Sequence, residues 1–283
     1  TVDIFEELSP WSNYCKQGED IRQGSLVIGK WTKLSSVHIG ILSSLGYQSV
    51  KIVRPMRIGI VSTGSELQMA GKPLEPGKIY NSCGYMLASN LKLVGIHDII
   101  MENCEDEMNA LETCIKSLSK KTDLIITTGG VSVGIKDLMP DLIEKIRGKK
   151  LFHKVNVKSG TPMMAGLYQN KIILAISGNP FAAMTTFELF FWHLAAAFMQ
   201  DDTFRPMRGK GVYKDIALKS NRLKRFVRAY EQEGIITLPT KVHSSSVLSN
   251  LILCNCLIIQ PVNQELQNGD NVDIIYLKDR GNR

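Results

Sequence analysis

Hydrophobic and polar positions alternate in blocks through the middle of the chain, and the blocks predict a series of strands and helices. The short apolar runs Arg57–Val61 and Leu124–Thr127 each lead into a Thr-Gly turn, which is typical of strands buried on both faces. Glu105–Leu118 has apolar residues at helical spacing. Further predicted strands are Ile96–Met101, Leu151–Val157 and Ile172–Ile176, and further predicted helices are Ile79–Val94, Asp137–Ile146 and one that begins at Pro180. This order predicts an α/β, three-layer domain with a mostly parallel sheet.

The two ends of the chain show other patterns. Residues 1–54 contain turn signals, a strand candidate at Leu26–Ile28 and a helix at Leu34–Leu45 that Gly46 ends. Beyond Pro206, evenly spaced short apolar runs with no long helix predict a small β-barrel or sandwich. Those runs are Gly211–Leu218, Arg225–Ala229, Ile235–Leu238, Leu257–Gln260 and Val272–Leu277. We therefore expect three domains, over residues 1–54, 55–200 and 206–279.

Composition and charge limit the kinds of partner that the protein is expected to bind. The formal net charge of +7 suits an anionic partner, but it does not choose among a nucleotide, a nucleic acid and a phosphorylated cofactor. Aromatic residues make up only 7% of the chain and form no ladder with basic residues, so nucleic acid is the weaker alternative. The most apolar stretch, Leu189–Met199, is too short to cross a bilayer and is interpreted as a buried helix, so no membrane partner is expected.

The six cysteines are scattered and form no CxxC pair, which is typical of reduced thiols in a cytosolic protein. No signal peptide is visible. These features predict a cytoplasmic location and argue against a zinc site.

Three turns at predicted strand ends are candidates for binding an anion. Small residues allow backbone N–H groups to approach a ligand, and the carboxyl ends of parallel strands are where open α/β sheets bind anions. The first turn comprises Thr63, Gly64, Ser65 and Glu66, the second Gly129, Gly130, Val131 and Ser132, and the third Gly178, Asn179 and Pro180. Any one of them is equally well explained as an ordinary strand-to-helix connection, but three together favour a site for an extended phosphorylated molecule.

Charged residues beside these turns are candidates for chemistry. Glu66 follows the first turn and Asp137 the second, and carboxylates near phosphates commonly hold Mg²⁺. Asp137 is explained as readily by a place at the start of a helix. Lys158, in a Lys-Ser-Gly-Thr-Pro loop, is suited to neutralising a phosphate or oxyanion, although a solvated surface lysine is as good an interpretation. The basic cluster around Arg228 and the run His243–Ser246 are more simply read as a solvated face.

The motifs in their order resemble the molybdopterin molybdenumtransferase (MoeA/gephyrin) family. The segments are STGSEL, GKIYNS, TTGGVSVG followed by Asp137, KSGTP, and SGNP at the start of a helix. The resemblance covers nearly the whole chain and implies a central domain of the molybdopterin-binding type. In that family the enzyme uses Mg²⁺ and molybdate, places the metal on the dithiolene of adenylylated molybdopterin and releases AMP.

The resemblance also assigns roles to individual residues. It implies that Glu66 and Asp137 bind Mg²⁺ or act as catalytic groups, and that Lys158 neutralises a phosphate or oxyanion of the ligand. The three turns, together with Gly160 and Pro162 of the basic loop, would bind the adenylylated molybdopterin substrate. The resemblance further implies that the protein forms a homodimer. The family carries a longer N-terminal part than this chain does.

The chain departs from the family pattern at several positions. Asn81 stands where the family usually has Asp, and Cys83 where it has Asn. Ser159 and Thr161 replace Pro and Lys of the basic loop, and Ser177 replaces Pro in the third turn. These changes leave an alternative open, a non-catalytic protein that binds, carries or scaffolds molybdopterin. An adenylyltransferase acting on molybdopterin would share the central domain, but the flanking β domain argues against it.

Overall fold

The computed structural model of the chain describes residues 1–3, 5–7, 9–131, 137–240 and 243–278. The chain divides into two compact units, Thr1–Ile52 and Val53–Arg283. The first unit contains helix α1 (Ser36–Ser44), close to the predicted bounds. The predicted strand at Leu26–Ile28 is wrong, since no other strand in the described part of this unit is available to pair with it. None of the described residues in this unit is buried, so it has no hydrophobic core of its own.

The second unit begins with an α/β region. Its strands are β1 (Ile58–Thr63), β2 (Leu67–Gln68), β3 (Ile79–Tyr80), β4 (Ile99–Cys104), β5 (Leu124–Thr128), β6 (Lys149–His153), β7 (Val157–Lys158), β8 (Met164–Tyr168) and β9 (Lys171–Ile176). Its helices are α2 (Cys83–Leu93), α3 (Met108–Ser119), α4 (Leu138–Lys145) and α5 (Pro180–Met199).

The main sheet has the strand order β4-β1-β5-β9-β8-β6. Strands β4, β1, β5 and β9 are parallel to one another, while β8 runs antiparallel to both of its neighbours. The prediction of a mostly parallel sheet is therefore confirmed.

Two apolar clusters cover the two faces of this sheet and make the region three-layered. On one face, Ile58 and Ile60 of β1 pack with residues of α2 and α5, including the fully buried Trp192. On the other face, Val61 packs with residues of α3 and α4. Alternate residues of one strand thus enter different cores, which explains why these strands are continuously apolar in the sequence.

Several predicted bounds differ from the structure for local reasons. Helix α2 starts at Cys83 rather than Ile79, because Ile79–Tyr80 pairs with β2 instead. The predicted strand Leu151–Val157 is divided into β6 and β7, with Lys154 between them in the left-handed region at φ 68°. Strand β8 was not predicted.

The rest of the second unit is a β-barrel. Its strands are β10 (Arg208–Tyr213), β11 (Lys224–Gln232), β12 (Ile235–Thr237), β13 (Cys256–Gln260) and β14 (Asn271–Tyr276). They follow the order β12-β10-β14-β13-β11, and a further β12–β11 pairing closes the ring. Strand β7 of the α/β region adds to β11 in parallel, so the two regions share backbone hydrogen bonds.

Helix α5 is the longest helix and is long and apolar enough to cross a membrane by length and composition alone. However, 67% of its apolar window is buried inside the protein. It contributes six buried residues to one core of the α/β region, in agreement with the sequence interpretation of a buried helix.

Candidate functional site

The three predicted turns leave the same edge of the main sheet. Thr128 at the end of β5 is in register with Ser62 of β1 on one side and with Ile176 of β9 on the other. The chain passes from β1 through α2 and from β5 through α4, and these helices cover opposite faces. The gap between β1 and β5 is therefore a topological switch point, where open α/β sheets bind their ligands.

The turns are in direct contact with one another. A Cβ placed on Gly129 would lie 2.3 Å from the carbonyl oxygen of Thr63, and one placed on Gly178 would lie 3.6 Å from the Cα of Gly129. The N–H of Gly129 also donates to the carbonyl of Ile176 at 3.0 Å. Gly129 and Gly130 both have positive φ values, of 95° and 66°. The structure thus brings the three turns together, and glycine is required where they meet.

Several backbone N–H groups at this edge have no partner within the described part of the chain. Among the residues that the structure describes, the N–H groups of Gly64, Ser65, Glu66 and Gly178 have no hydrogen-bond acceptor. Gly64 and Gly178 are at least partly open to solvent. A concave set of free amides is a favourable environment for a phosphate or another oxyanion.

The first turn is bordered by two carboxylates. The Glu66 side chain folds back over Gly64, so that a Cβ on Gly64 would lie 2.7 Å from its Oε1. Asp106, just beyond the end of β4, accepts a hydrogen bond of 3.3 Å from the hydroxyl of Thr63. Sequence reasoning missed Asp106. The sequence placed Asp106 inside the predicted helix Glu105–Leu118, so no local signal singled it out.

The start of α2 lies against the third turn. Asn81 is buried, and its Oδ1 accepts from the N–H of Gly84 while its Nδ2 donates to Oδ1 of Asn103 at 3.0 Å. The thiol of Cys83 donates to the carbonyl of Gly178 at 3.2 Å. Burial raises the pKa of this thiol to about 11, so it is a neutral donor at physiological pH. Asn81 and Cys83, two of the positions that depart from the family pattern, are therefore both used in hydrogen bonds within the protein.

The second turn is described only in part. Ser132 lies outside the described residues. The Val131 side chain is buried in one of the cores, so only its backbone is available to a ligand. Asp137 occupies the N-cap position of α4, and its Oδ2 lies 3.0 Å from Nε2 of His153 at the end of β6. Its other oxygen, Oδ1, is buried and has no hydrogen-bond partner among the described residues.

The carboxylates suit Mg²⁺ as oxygen donors. Within the described ranges, no group of three or more His, Cys, Asp or Glu residues is arranged to hold a metal ion. Mg²⁺ does not need such a cage, because it is usually bound through one or two carboxylates, phosphate oxygens and water. The unpartnered, buried Oδ1 of Asp137 and the oxygens of Glu66 fit that pattern.

The third turn is closed on one side by the barrel. Asn179 occupies the N-cap position of α5, but its side chain makes no capping hydrogen bond. Pro180 has no N–H, and the N–H of Phe181 donates to the carbonyl of Ser245 at 3.0 Å. A carbonyl of a barrel loop therefore accepts a hydrogen bond from the first N–H of α5, and this end of the helix does not face an open groove.

The basic loop belongs to a different sheet from the three turns. Lys158 lies on β7, is exposed, and is paired in register with Arg225 of β11. Gly160 is buried, and a Cβ there would lie 2.6 Å from Thr186 of α5, so this glycine serves packing. Thr161 donates its hydroxyl to the carbonyl of Val157 at 2.7 Å. Pro162 is half-buried in the same loop.

A group of basic and aromatic residues holds the barrel loop against α5. The guanidinium of Arg228 lies 3.6 Å from the ring centroid of Phe181 and donates to the carbonyls of Ser244 and Val247. Burial, together with the nearby Arg225 and Arg228, lowers the pKa of His243 to about 4, so His243 is neutral at physiological pH. The sequence interpretation of a solvated face is wrong for Arg228, which is fully buried.

Two family models match the second unit of the chain. Residues 59–196 match the model described as "Probable molybdopterin binding domain". Residues 214–277 match the "MoeA C-terminal region (domain IV)". The first match covers the α/β region and its three turns, and the second covers most of the barrel.

Curated relatives match over almost all of the chain. A molybdopterin molybdenumtransferase of Bacillus subtilis (strain 168) is 32% identical over 271 residues, which are 94% of this chain and 63% of that protein. A molybdopterin molybdenumtransferase of Staphylococcus aureus (strain COL) is 30% identical over 283 residues, covering 97% of this chain and 67% of that protein.

The chain belongs to the molybdopterin molybdenumtransferase family. This family member spans about two thirds of the length of these relatives. A crystal structure of the molybdopterin biosynthesis MoeA protein from Pyrococcus horikosii has the same fold, with a TM-score of 0.77 at 22% identity over 92% of this chain and 64% of that one.

Proposed function

We propose that this protein acts in molybdenum cofactor biosynthesis as a transferase that inserts molybdate into adenylylated molybdopterin and releases AMP, in a reaction that depends on Mg²⁺. The observation that supports this most strongly is the contact of three strand-end turns around unpaired N–H groups. The phosphates of adenylylated molybdopterin are anions of the kind that such a site binds.

Each part of the edge has a role in this proposal. The turns Thr63–Glu66 and Gly129–Ser132 line the site, with Asn179 and Pro180 bordering the third turn. The N–H groups of Gly64, Ser65, Glu66 and Gly178, which have no acceptor among the described residues, bind phosphate oxygens. Glu66 and Asp137 hold Mg²⁺, which neutralises charge at the phosphoanhydride when it is bound. Lys158, whose Cα pairs in register with that of Arg225, supplies a positive charge that suits the molybdate oxyanion. Gly160 and Pro162 shape the loop that carries Lys158.

His153 is the partner of Asp137 in this scheme. Its ring lies 3.0 Å from one carboxylate oxygen, which leaves the other oxygen available to a cation. Asp106 orients the hydroxyl of Thr63 at the entrance to the first turn. In this proposal the described residues bind and orient the substrate. Molybdenum from molybdate is placed on the dithiolene sulfurs, and the separate phosphoanhydride bond is hydrolysed by water, so that AMP leaves and the phosphate stays on molybdopterin.

A non-catalytic molybdopterin carrier or scaffold is the second candidate. It is favoured by Asn81 and Thr161, which stand where the family usually has an acid and a lysine. Both are engaged in local hydrogen bonds, so neither supplies a charge to the substrate. Backbone amides do not depend on these side chains, so binding would survive their loss even if turnover did not.

We also infer that the protein forms a homodimer and acts in the cytoplasm. The first unit exposes Val37, Ile39 and Leu45, and none of its described residues is buried. A second copy would bury part of this apolar surface. Sedimentation velocity on the natural full-length chain tests this, with a dimer expected and a monomer at micromolar concentration as the contradicting result.

The enzymatic proposal is tested by measuring AMP release from adenylylated molybdopterin with Mg²⁺ and molybdate, using the natural full-length chain. Release by the wild-type protein that falls about a hundredfold or more in Asp137→Ala supports the transferase. Tight binding of the substrate with no AMP supports the carrier. Absence of both binding and release contradicts either function.

A further inference from the structure

The first turn is held from one side by Lys78, which belongs to the GKIYNS segment but to which the sequence assigned no role. Nζ of Lys78 donates to the carbonyl oxygen of Ser65 at 2.6 Å. Lys78 is half-buried and lies one residue before β3. It reaches back across thirteen residues to the turn, so the contact is formed by the fold and not by neighbouring sequence.

The segments on either side of this contact are joined by backbone hydrogen bonds. The N–H of Ile79 donates to the carbonyl of Glu66 at 2.8 Å, and β2 pairs with β3 in parallel. The intervening segment is fixed by its own side chains, since Gln68 donates to the carbonyl of Pro73 and the Tyr80 hydroxyl donates to that of Lys72. Lys78 therefore lies on a segment that has its own hydrogen bonds. This segment can hold the lysine in place, so that the lysine fixes the turn.

The contact sets the direction of an amide in the binding turn. The carbonyl of Ser65 and the N–H of Glu66 belong to one planar peptide and point in opposite directions. With the carbonyl held by the ammonium, the N–H of Glu66 faces away from Lys78. That N–H is one of the groups without an acceptor in the described part of the chain.

We propose that Lys78 is a positioning residue of the substrate site, which fixes the Ser65–Glu66 peptide so that its N–H is presented to an anionic group of the ligand. Only the identity of that ligand, adenylylated molybdopterin, rests on the proposed function. A charge-assisted hydrogen bond to a carbonyl is roughly twice as strong as a neutral one, which makes an ammonium an effective group for this purpose.

Hydrogen exchange at the first turn tests the positioning role without any ligand. In Lys78→Met we expect the amides of Leu67 and Ile79, which donate to the carbonyls of Gly64 and Glu66, to exchange about tenfold faster, the change that corresponds to losing one such bond. Lys78→Arg, which keeps a charged donor, should restore most of the protection. Lys72→Met is the matched control, because it removes an exposed lysine of the same segment without removing a described side-chain contact. Unchanged exchange in Lys78→Met, or an equal change in Lys72→Met, would overturn the proposal.

Kinetics with adenylylated molybdopterin then distinguish a role of Lys78 in substrate binding from a loss of activity through misfolding. We expect KM to rise about tenfold in Lys78→Met with a smaller change in kcat, and Lys78→Arg to recover most of the loss. A fall in kcat alone, with KM unchanged, would contradict the role. If the wild-type protein neither binds nor turns over this substrate, the proposed function fails, while the exchange experiment still decides whether Lys78 fixes the turn.

Discussion

Gly129 is the residue on which the contact between the turns depends most. It has φ 95°, and its missing side chain leaves room for the carbonyl of Thr63. The sequence predicted glycine turns at strand ends, because an apolar run followed by Thr-Gly is a local pattern. It did not predict Asp106 beside Thr63 or Asn103 beside Asn81, because these partners are 43 and 22 residues apart and meet only in the folded chain.

A methyl group at Gly129 tests this contact. Gly129→Ala combines an unfavourable φ with a Cβ 2.3 Å from a backbone oxygen, so we expect a loss of about 2–4 kcal/mol in the free energy of unfolding and loss of substrate binding. Gly95→Ala is the matched control, since Gly95 has a similar φ of 86° but open space around it, and it should cost about 1–2 kcal/mol. Equal costs in urea unfolding of the two variants would contradict the close contact.

Helix α5 shows how one element is fixed by another region of the chain. Arg228 stacks on Phe181 and donates to two carbonyls of the loop that satisfies the N–H of Phe181. The sequence indicated the helix and its start at Pro180. It gave no sign that a barrel loop, rather than the Asn179 side chain, would meet its first amide, since that contact requires the packing of two regions.

The Arg228 contact gives a prediction about stability. In Arg228→Lys the planar stacking and the second carbonyl bond are lost, and we expect about 2–3 kcal/mol lower free energy of unfolding. Hydrogen exchange should also increase in residues 243–247. Arg222→Lys, at an exposed position, serves as the control and should leave both measurements unchanged. No difference between the two variants would show that Arg228 does not hold the loop.

The start of β5 is joined to the segment before β1 by an ion pair. Asp123 accepts two hydrogen bonds of 2.6 Å from Arg54 and one of 2.9 Å from the N–H of Arg57. The Arg54 hydrogen bond is the main cause that lowers the pKa of Asp123 in the folded protein. A carboxyl with a lowered folded pKa stabilises the fold above its unfolded pKa and loses this contribution as the pH falls.

The pH dependence of unfolding tests that ion pair. At pH 7 we expect Asp123→Asn to be less stable than the wild type by about 1–3 kcal/mol. Because the unfolded pKa is near 3.8, the difference should begin to shrink below about pH 4 as the wild-type carboxyl becomes protonated. Asp98→Asn removes a pair whose partners are both more than half exposed and should cost little. A difference that stays constant down to pH 2 would contradict the assignment.

Across the described chain, the sequence indicated most of the strands and helices, because hydrophobic period and turn residues are local signals. The division into three domains stays a prediction. The sequence left a barrel and a sandwich as alternatives and did not indicate that β7 joins the barrel sheet, because strand pairing between distant segments has no local pattern. For the same reason it did not indicate that Lys158 lies on this second sheet beside Arg225.

We propose that three turns from separate strands bind one anionic ligand together. Hydrogen exchange measured with and without adenylylated molybdopterin tests this joint binding. We expect the ligand to protect the amides of residues 64–66, 130 and 178 together, and Gly129→Ala to abolish the protection at all three turns. Protection confined to one turn, or located on another surface of the protein, would contradict joint binding.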